Sequence, residues 1–166
     1  MTERTYDPTA AAALLDDFKS HVRMTSDDMD AELSAKLLAA VRHAEHHIGK
    51  VILWSQFETA TPFASSIILK APGTTVESLE VDGAEVTDYS VNGRVLTISP
   101  EVTGQQMTVT YEAGYTSIPE DMEAAILMHA ASLFNNPTDS VETLAKASQN
   151  LLRPYRSWGL DDGEQD

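Results

Sequence analysis

Three histidines crowd one short stretch, His43-Ala44-Glu45-His46-His47, and there the chain comes nearest to a chemical motif. On a helix, His43 and His47 lie one turn apart, a spacing that can chelate zinc. A zinc protease of the His-Glu-x-x-His type needs its glutamate directly after the first histidine, whereas Glu45 sits two places on. No third ligand stands at a motif distance, and histidines on a solvated or interfacial helix face account for the same residues. Other catalytic patterns are missing from the sequence. It has no Gly-x-Ser-x-Gly elbow, no Gly-x-Gly-x-x-Gly, no phosphate loop and no cysteine. Asp27, Asp28 and Asp30 suit the start of a helix. Asp82-Gly83 and Asp161-Asp162-Gly163 are fragments of a calcium loop without its remaining ligands. The residues predict no catalytic group, no metal and no cofactor. The competing readings are a metal-dependent hydrolase using the His43/His47 pair and a monomeric module whose strands bind a ligand.

A different chemistry stands out in Leu151-Leu152-Arg153-Pro154-Tyr155-Arg156-Ser157-Trp158-Gly159. Arg153, Tyr155, Arg156 and Trp158 leave a helix on a short segment, and Arg, Tyr and Trp are the residue types enriched at interface hot spots. A tail folded back on its own domain would use the same side chains. In a chain this acidic, contact with another subunit is the expected role.

The charge balance supports that direction. Twenty-six acidic residues oppose 11 basic ones, for a formal net charge of −15. Nucleic-acid binding draws its affinity from cations on phosphates, so a protein that grips DNA is not expected. An anionic membrane surface is disfavoured for the same reason. Without cysteine, disulfides and thiolate metal sites are excluded. Residues 1–17 lack the basic start and apolar core of a signal peptide, and no run of 18 apolar residues occurs. A soluble protein that stays where it is made, or leaves only as part of something larger, is the expectation.

The elements that must position these groups alternate in period. Residues 1 to about 13 read as loosely held. Leu14, Phe18 and Val22 make a short amphipathic segment, and Thr25 or Ser26 then caps a long helix with Asp27, Asp28 and Asp30 in its first turn. The stripe Met29, Leu33, Leu37, Val41, Ala44, Ile48 carries that helix to a stop at Gly49-Lys50. Strands are predicted over Val51–Trp54, Gln56–Thr59, Ile67–Leu69, Val76–Val81, Val86–Val91, Arg94–Ser99 and Gln106–Tyr111. Asp82-Gly83 and Asn92-Gly93 mark hairpins. Gly114 turns the last strand into a helix with Pro119 at its first position and Glu120, Asp121 and Glu123 in its first turn. Pro137 stops that helix, and a final one runs from about Ser140 to Leu152, where Pro154 ends it. The predicted fold is α+β: a small bundle of about four helices with an inserted block of short antiparallel strands. Within one domain of 1–166, helices occupy 14–50 and 117–153, strands occupy 51–112, and 154–166 is an extended acidic tail.

In order along the chain, these pieces resemble the head–tail connector, or adaptor, proteins of tailed phages. Phe18-Lys19 with Val22-Arg23, the aspartate-rich cap and the helix ending in Gly49-Lys50 resemble that family's opening. Val109-Thr110-Tyr111-Glu112-Ala113-Gly114-Tyr115, Ile118-Pro119-Glu120-Asp121 and Ala124-Ala125-Ile126 resemble its strand-to-helix element. Leu151, Leu152, Pro154, Tyr155 and Arg156 resemble its end. The likeness spans about residues 14 to 158. Asn136-Pro137-Thr138 departs from it where the family often carries an arginine, and the long helix has unusual histidines. The resemblance implies a structural virion protein at the head–tail interface, assembled in the host cytoplasm. Its partners would be other copies of itself, in a closed ring of about a dozen, the portal protein, and the next connector or tail-completion protein. DNA would pass through the channel without specific binding, and no membrane is involved.

Overall fold

Buried apolar side chains fall into two groups, one held by helices and one by strands. The computed structural model describes residues 1–136 and 144–156. Strand β1 (Thr2–Tyr6) leads into helices α1 (Pro8–His21) and α2 (Asp30–Ile48). Strands β2 (Ser55–Pro62), β3 (Ser66–Ile68), β4 (Thr75–Val81), β5 (Ala84–Glu85), β6 (Tyr89–Asn92), β7 (Val95–Ile98) and β8 (Gln106–Ala113) follow. Helix α3 (Glu120–Asn135), helix α4 (Lys146–Leu152) and a 3-10 turn over Arg153–Tyr155 complete the described chain. The fold is α+β, with four α-helices and two antiparallel sheets among the described residues. No helix among them is long and apolar enough to cross a membrane.

The N-terminal residues are not loose. β1 pairs antiparallel with β2 from Thr2↔Thr59 to Tyr6↔Ser55, which adds an edge strand to the larger sheet. Asp7 then caps α1, its side chain accepting from Ala10 N at 2.7 Å, with Pro8 in the first turn. The alanine run at 10–13 hid this start, because small residues at the first turn leave no apolar stripe to read. Leu14 and Phe18 bury themselves as the spacing predicts.

α2 starts later than its aspartates suggest. Met29 is the cap residue and makes no side-chain capping bond. Asp27 and Asp30 are drawn away by Lys19, which ion-pairs with Asp30 at 2.8 Å and also with Asp27. Those bonds raise the Lys19 pKa and lower that of Asp27. Downstream, Leu33, Leu37, Ala40, Val41, Ala44 and Ile48 are buried, each large aliphatic contributing about 1.5–3 kcal/mol by leaving water. Gly49 ends the helix in the left-handed region at φ 76°.

The larger sheet runs in the order β1-β2-β8-β4-β5, and the smaller one β3-β7-β6. They share one core. β8 alternates strictly, burying Met107, Val109, Tyr111 and Ala113, while β7 contributes Leu96 and Ile98 from the other sheet. Asp82 (φ 50°) and Gly83 (φ 79°) form the predicted tight turn between β4 and β5. The second hairpin is shifted by one residue: Asn92 pairs with Val95, so the loop is Gly93-Arg94, and Gly93 takes the positive φ. Of the expected strand Val86–Val91 only residues 89–91 are strand, in β6, because residues 86–88 cross from β5 in one sheet to β6 in the other. Val51–Trp54 is not a strand either. Only Leu53 makes an isolated bridge, to Tyr115.

Pro119 caps α3 rather than entering it, its carbonyl accepting from Met122 N and Glu123 N at 2.9 and 3.0 Å. Burial and the nearby carboxylates of Asp17 and Glu120 push the Glu123 pKa up. The predicted final-helix start at Ser140 lies outside the described residues, and Leu144 and Ala145 are non-helical, with α4 beginning at Lys146. Pro154 sits inside the 3-10 turn that prolongs the helix.

Candidate functional site

The strand block meets the helices along a seam of main-chain hydrogen bonds. Gly114 N donates to Pro72 O (2.8 Å), Tyr115 N to Ile52 O (3.0 Å), Val51 N to Ala71 O (2.8 Å) and Asp7 N to Trp54 O (3.1 Å). Gly114 lies at φ 137°, and a Cβ there would stand 2.7 Å from the Cα of Trp54. A side chain is excluded at that point by both conformation and contact.

One ion pair fastens the same seam from the side. Arg4 Nη1 and Nη2 reach the two carboxylate oxygens of Glu45 at 2.6 and 2.8 Å. Glu45 Oε1 also accepts from Ile52 N at 2.8 Å, and Arg4 Nε donates to Ser55 Oγ at 3.0 Å. The guanidinium lies 4.2 Å from the Tyr6 ring centroid and 5.4 Å from that of Phe57. Strand β1, helix α2 and the loop into β2 are thereby joined by two side chains. The sequence reading missed Arg4, whose partner is 41 residues away.

The structure brings His43 to a histidine on α3. His43 Nδ1 lies 2.8 Å from Nε2 of His129, which is fully buried on α3. The two rings tie α2 to α3, with centroids 5.1 Å apart. Burial, and secondarily the charge of His43, lowers the His129 pKa below its ordinary value. His47 follows one turn later on α2, and no group of three His, Asp or Glu able to hold a metal gathers among the described residues.

Of the predicted interface residues, Arg153 and Arg156 are exposed, while Tyr155 is half-buried against the helical core. Trp158 lies outside the described residues. The 3-10 turn thus anchors itself by Tyr155 and presents its arginines outward.

Over residues 12–156 the chain matches the family of phage gp6-like head-tail connector proteins. In fold it is similar to a chain in the neck of an empty gene transfer agent particle computed with C6 symmetry. That chain is 19% identical, with a TM-score of 0.77 and 98% of each chain covered. A chain from the neck of the native particle computed with C12 symmetry, and one from the native virion, are each 18% identical. Both have TM-scores of 0.74 and cover 98% of each chain. No curated protein matches. The family match covers most of α1, the other helices, strands β2 to β8 and all of the seam but Asp7. The chain belongs to the phage gp6-like head-tail connector protein family.

Proposed function

We propose that this protein is a structural virion component at the head–tail interface, where copies close into a ring beneath the portal and extend the DNA channel towards the tail. The observation that carries this reading is the family match across residues 12–156. It is supported by the likeness in fold to chains from particle necks computed with C6 and C12 symmetry. Closed cyclic symmetry requires heterologous contacts, one face of a subunit against a different face of the next. A rigid two-core subunit with outward-facing arginines on its C-terminal turn suits that requirement. The ring's partners are the portal on one side and the next connector or tail-completion protein on the other, met during assembly in the host cytoplasm. In this reading residues 14–50 and 117–153 are the packing helices, 51–112 the strand insert, and 154–166 an arm towards the portal or a neighbour. Arg153, Tyr155, Arg156 and Trp158 make the arm's contacts.

The protein works by shape and charge rather than by catalysis. Each copy brings a formal charge of −15, so a ring concentrates negative potential. DNA passing through meets few net cations and slides. Mixing the protein with purified portal and imaging the product tests the reading. Rings seated on the portal are the expected result, and a protein that stays unattached at every concentration and salt overturns it. Removing residues 153–166 should abolish seating; unchanged ring assembly and portal binding would refute the role given to the arm.

A further inference from the structure

The basic residues of this acidic chain are not evenly spread. Five of its 11 lysines and arginines, Arg4, Arg42, Lys50, Lys70 and Arg94, line a single cleft of about 600 Å³. The cleft lies between the C-terminal turn of α2 and the loops beside β3 and β7. Among the described residues Glu45 is the one carboxylate in its lining, and it is occupied by Arg4. The carbonyl end of α2 adds about half a negative charge, which the four cations besides Arg4 outweigh. Arg42 is fixed there by Tyr6, whose hydroxyl accepts from Arg42 Nε at 3.1 Å. The lining is also apolar: Val51, Phe57 and Leu69 are buried in it, and Ile68, 69% exposed, stands at its rim.

We infer that this cleft docks the acidic segment of a second copy of the chain, residues 157–166, Ser-Trp-Gly-Leu-Asp-Asp-Gly-Glu-Gln-Asp. Charge and polarity match in kind. Trp158 and Leu160 supply apolar groups, and Asp161, Asp162, Glu164 and Asp166 supply carboxylates for the lysines and arginines. A DNA duplex presents chiefly a broad rod of phosphates and little apolar surface for Ile68, so it fits the lining less well. Docking arm into cleft is heterologous, since arm and cleft are different segments of the chain, and it propagates around a ring. The inference rests on the ring reading for its second copy, but its test does not need the portal.

Full-length protein grown with light and with heavy nitrogen is mixed at high concentration and treated with a carbodiimide, which joins lysine amines to carboxylates in contact. The expected products are mixed light–heavy links from Lys50 or Lys70 to Asp161, Asp162, Glu164 or Asp166. Lys70→Glu, at an exposed position, should lower the Lys50 links about tenfold, as should raised salt. Links confined to one copy, or no links to 161–166, overturn the inference. So does a duplex DNA that binds wild type but not Lys70→Glu while tail links are missing, which gives the cleft to nucleic acid. Tail links without portal-seated rings would overturn the connector reading alone. Rings without tail links would overturn the cleft alone.

Discussion

Glu45 holds Arg4 with both carboxylate oxygens, at 2.6 and 2.8 Å, across 41 residues of chain. The pair is nearly closed to solvent, with side-chain exposures of 11% for Glu45 and 20% for Arg4. Removing one partner leaves a charge and the Ile52 amide without their counterpart. Glu45→Ala should therefore lose about 2–4 kcal/mol of stability, the low end reflecting the water that still reaches Arg4. Urea unfolding measures it, and a double-mutant cycle with Arg4→Ala should return a coupling of at least about 1 kcal/mol.

Gly114→Ala should destabilise by about 1–3 kcal/mol through backbone strain alone, and by more if Trp54 cannot move away. The new methyl would meet Trp54 Cα at 2.7 Å. Gly83→Ala is the control, because nothing lies within 4 Å of a Cβ there and only the φ of 79° opposes it. A thermal melt should rank the Gly114 variant well below the Gly83 one.

Acid should weaken the fold through His129. Its folded pKa lies below the ordinary value, so an unfolded chain takes up a proton at about pH 6.5 that the folded chain refuses. The stability this neutral histidine confers is complete above about pH 6.5 and is lost as pH falls from there towards the lower folded value. Unfolding free energies measured between about pH 8 and pH 5 should fall on the acid side. His129→Gln should flatten that part of the curve whatever it does to stability at neutral pH.

Asp82 ties the β4–β5 turn to the strand opposite. Its carboxylate accepts from Gln105 N at 3.0 Å and Gln106 N at 2.9 Å, and its own φ is 50°. Asp82→Ala strips both acceptors and leaves an alanine in the left-handed region. A loss of about 1–3 kcal/mol is expected in chemical unfolding.

Arg153→Ala with Arg156→Ala should weaken portal attachment about tenfold or more, the size of one hot-spot contact. Because both positions are exposed, the unfolding free energy should change only as ordinary surface substitutions change it, by about 0.5 kcal/mol each. Pull-down against purified portal reads the first effect and thermal melting the second.

Periodic features were legible in the sequence. The stripe of α2, the alternation of β8 and the Asp82-Gly83 turn depend on neighbours within a few residues, and each stands where the pattern puts it. What escaped depends on distant partners. β1 has no apolar alternation, because its identity as a strand comes from pairing with β2. The aspartates before α2 look like caps until Lys19 is placed beside them. Val51–Trp54 has strand composition, yet Glu45 takes the Ile52 amide and Arg4 bonds the Leu53 carbonyl. The basic cleft gathers cations from positions 4 to 94, so no run of charge announces it. His43 meets His129, 86 residues on, a partner that no local spacing announces.

The seam between strands and helices is written almost wholly in peptide groups. Its four bonds run from amide to carbonyl, and a carbonyl is the same whichever side chain its residue carries. Glycine at position 114 is the strictest demand it makes on the gene. A joint of this kind leaves mutation free to rework both flanking cores so long as volume and polarity are kept. Two chains sharing 19% of their residues can then superpose with a TM-score of 0.77.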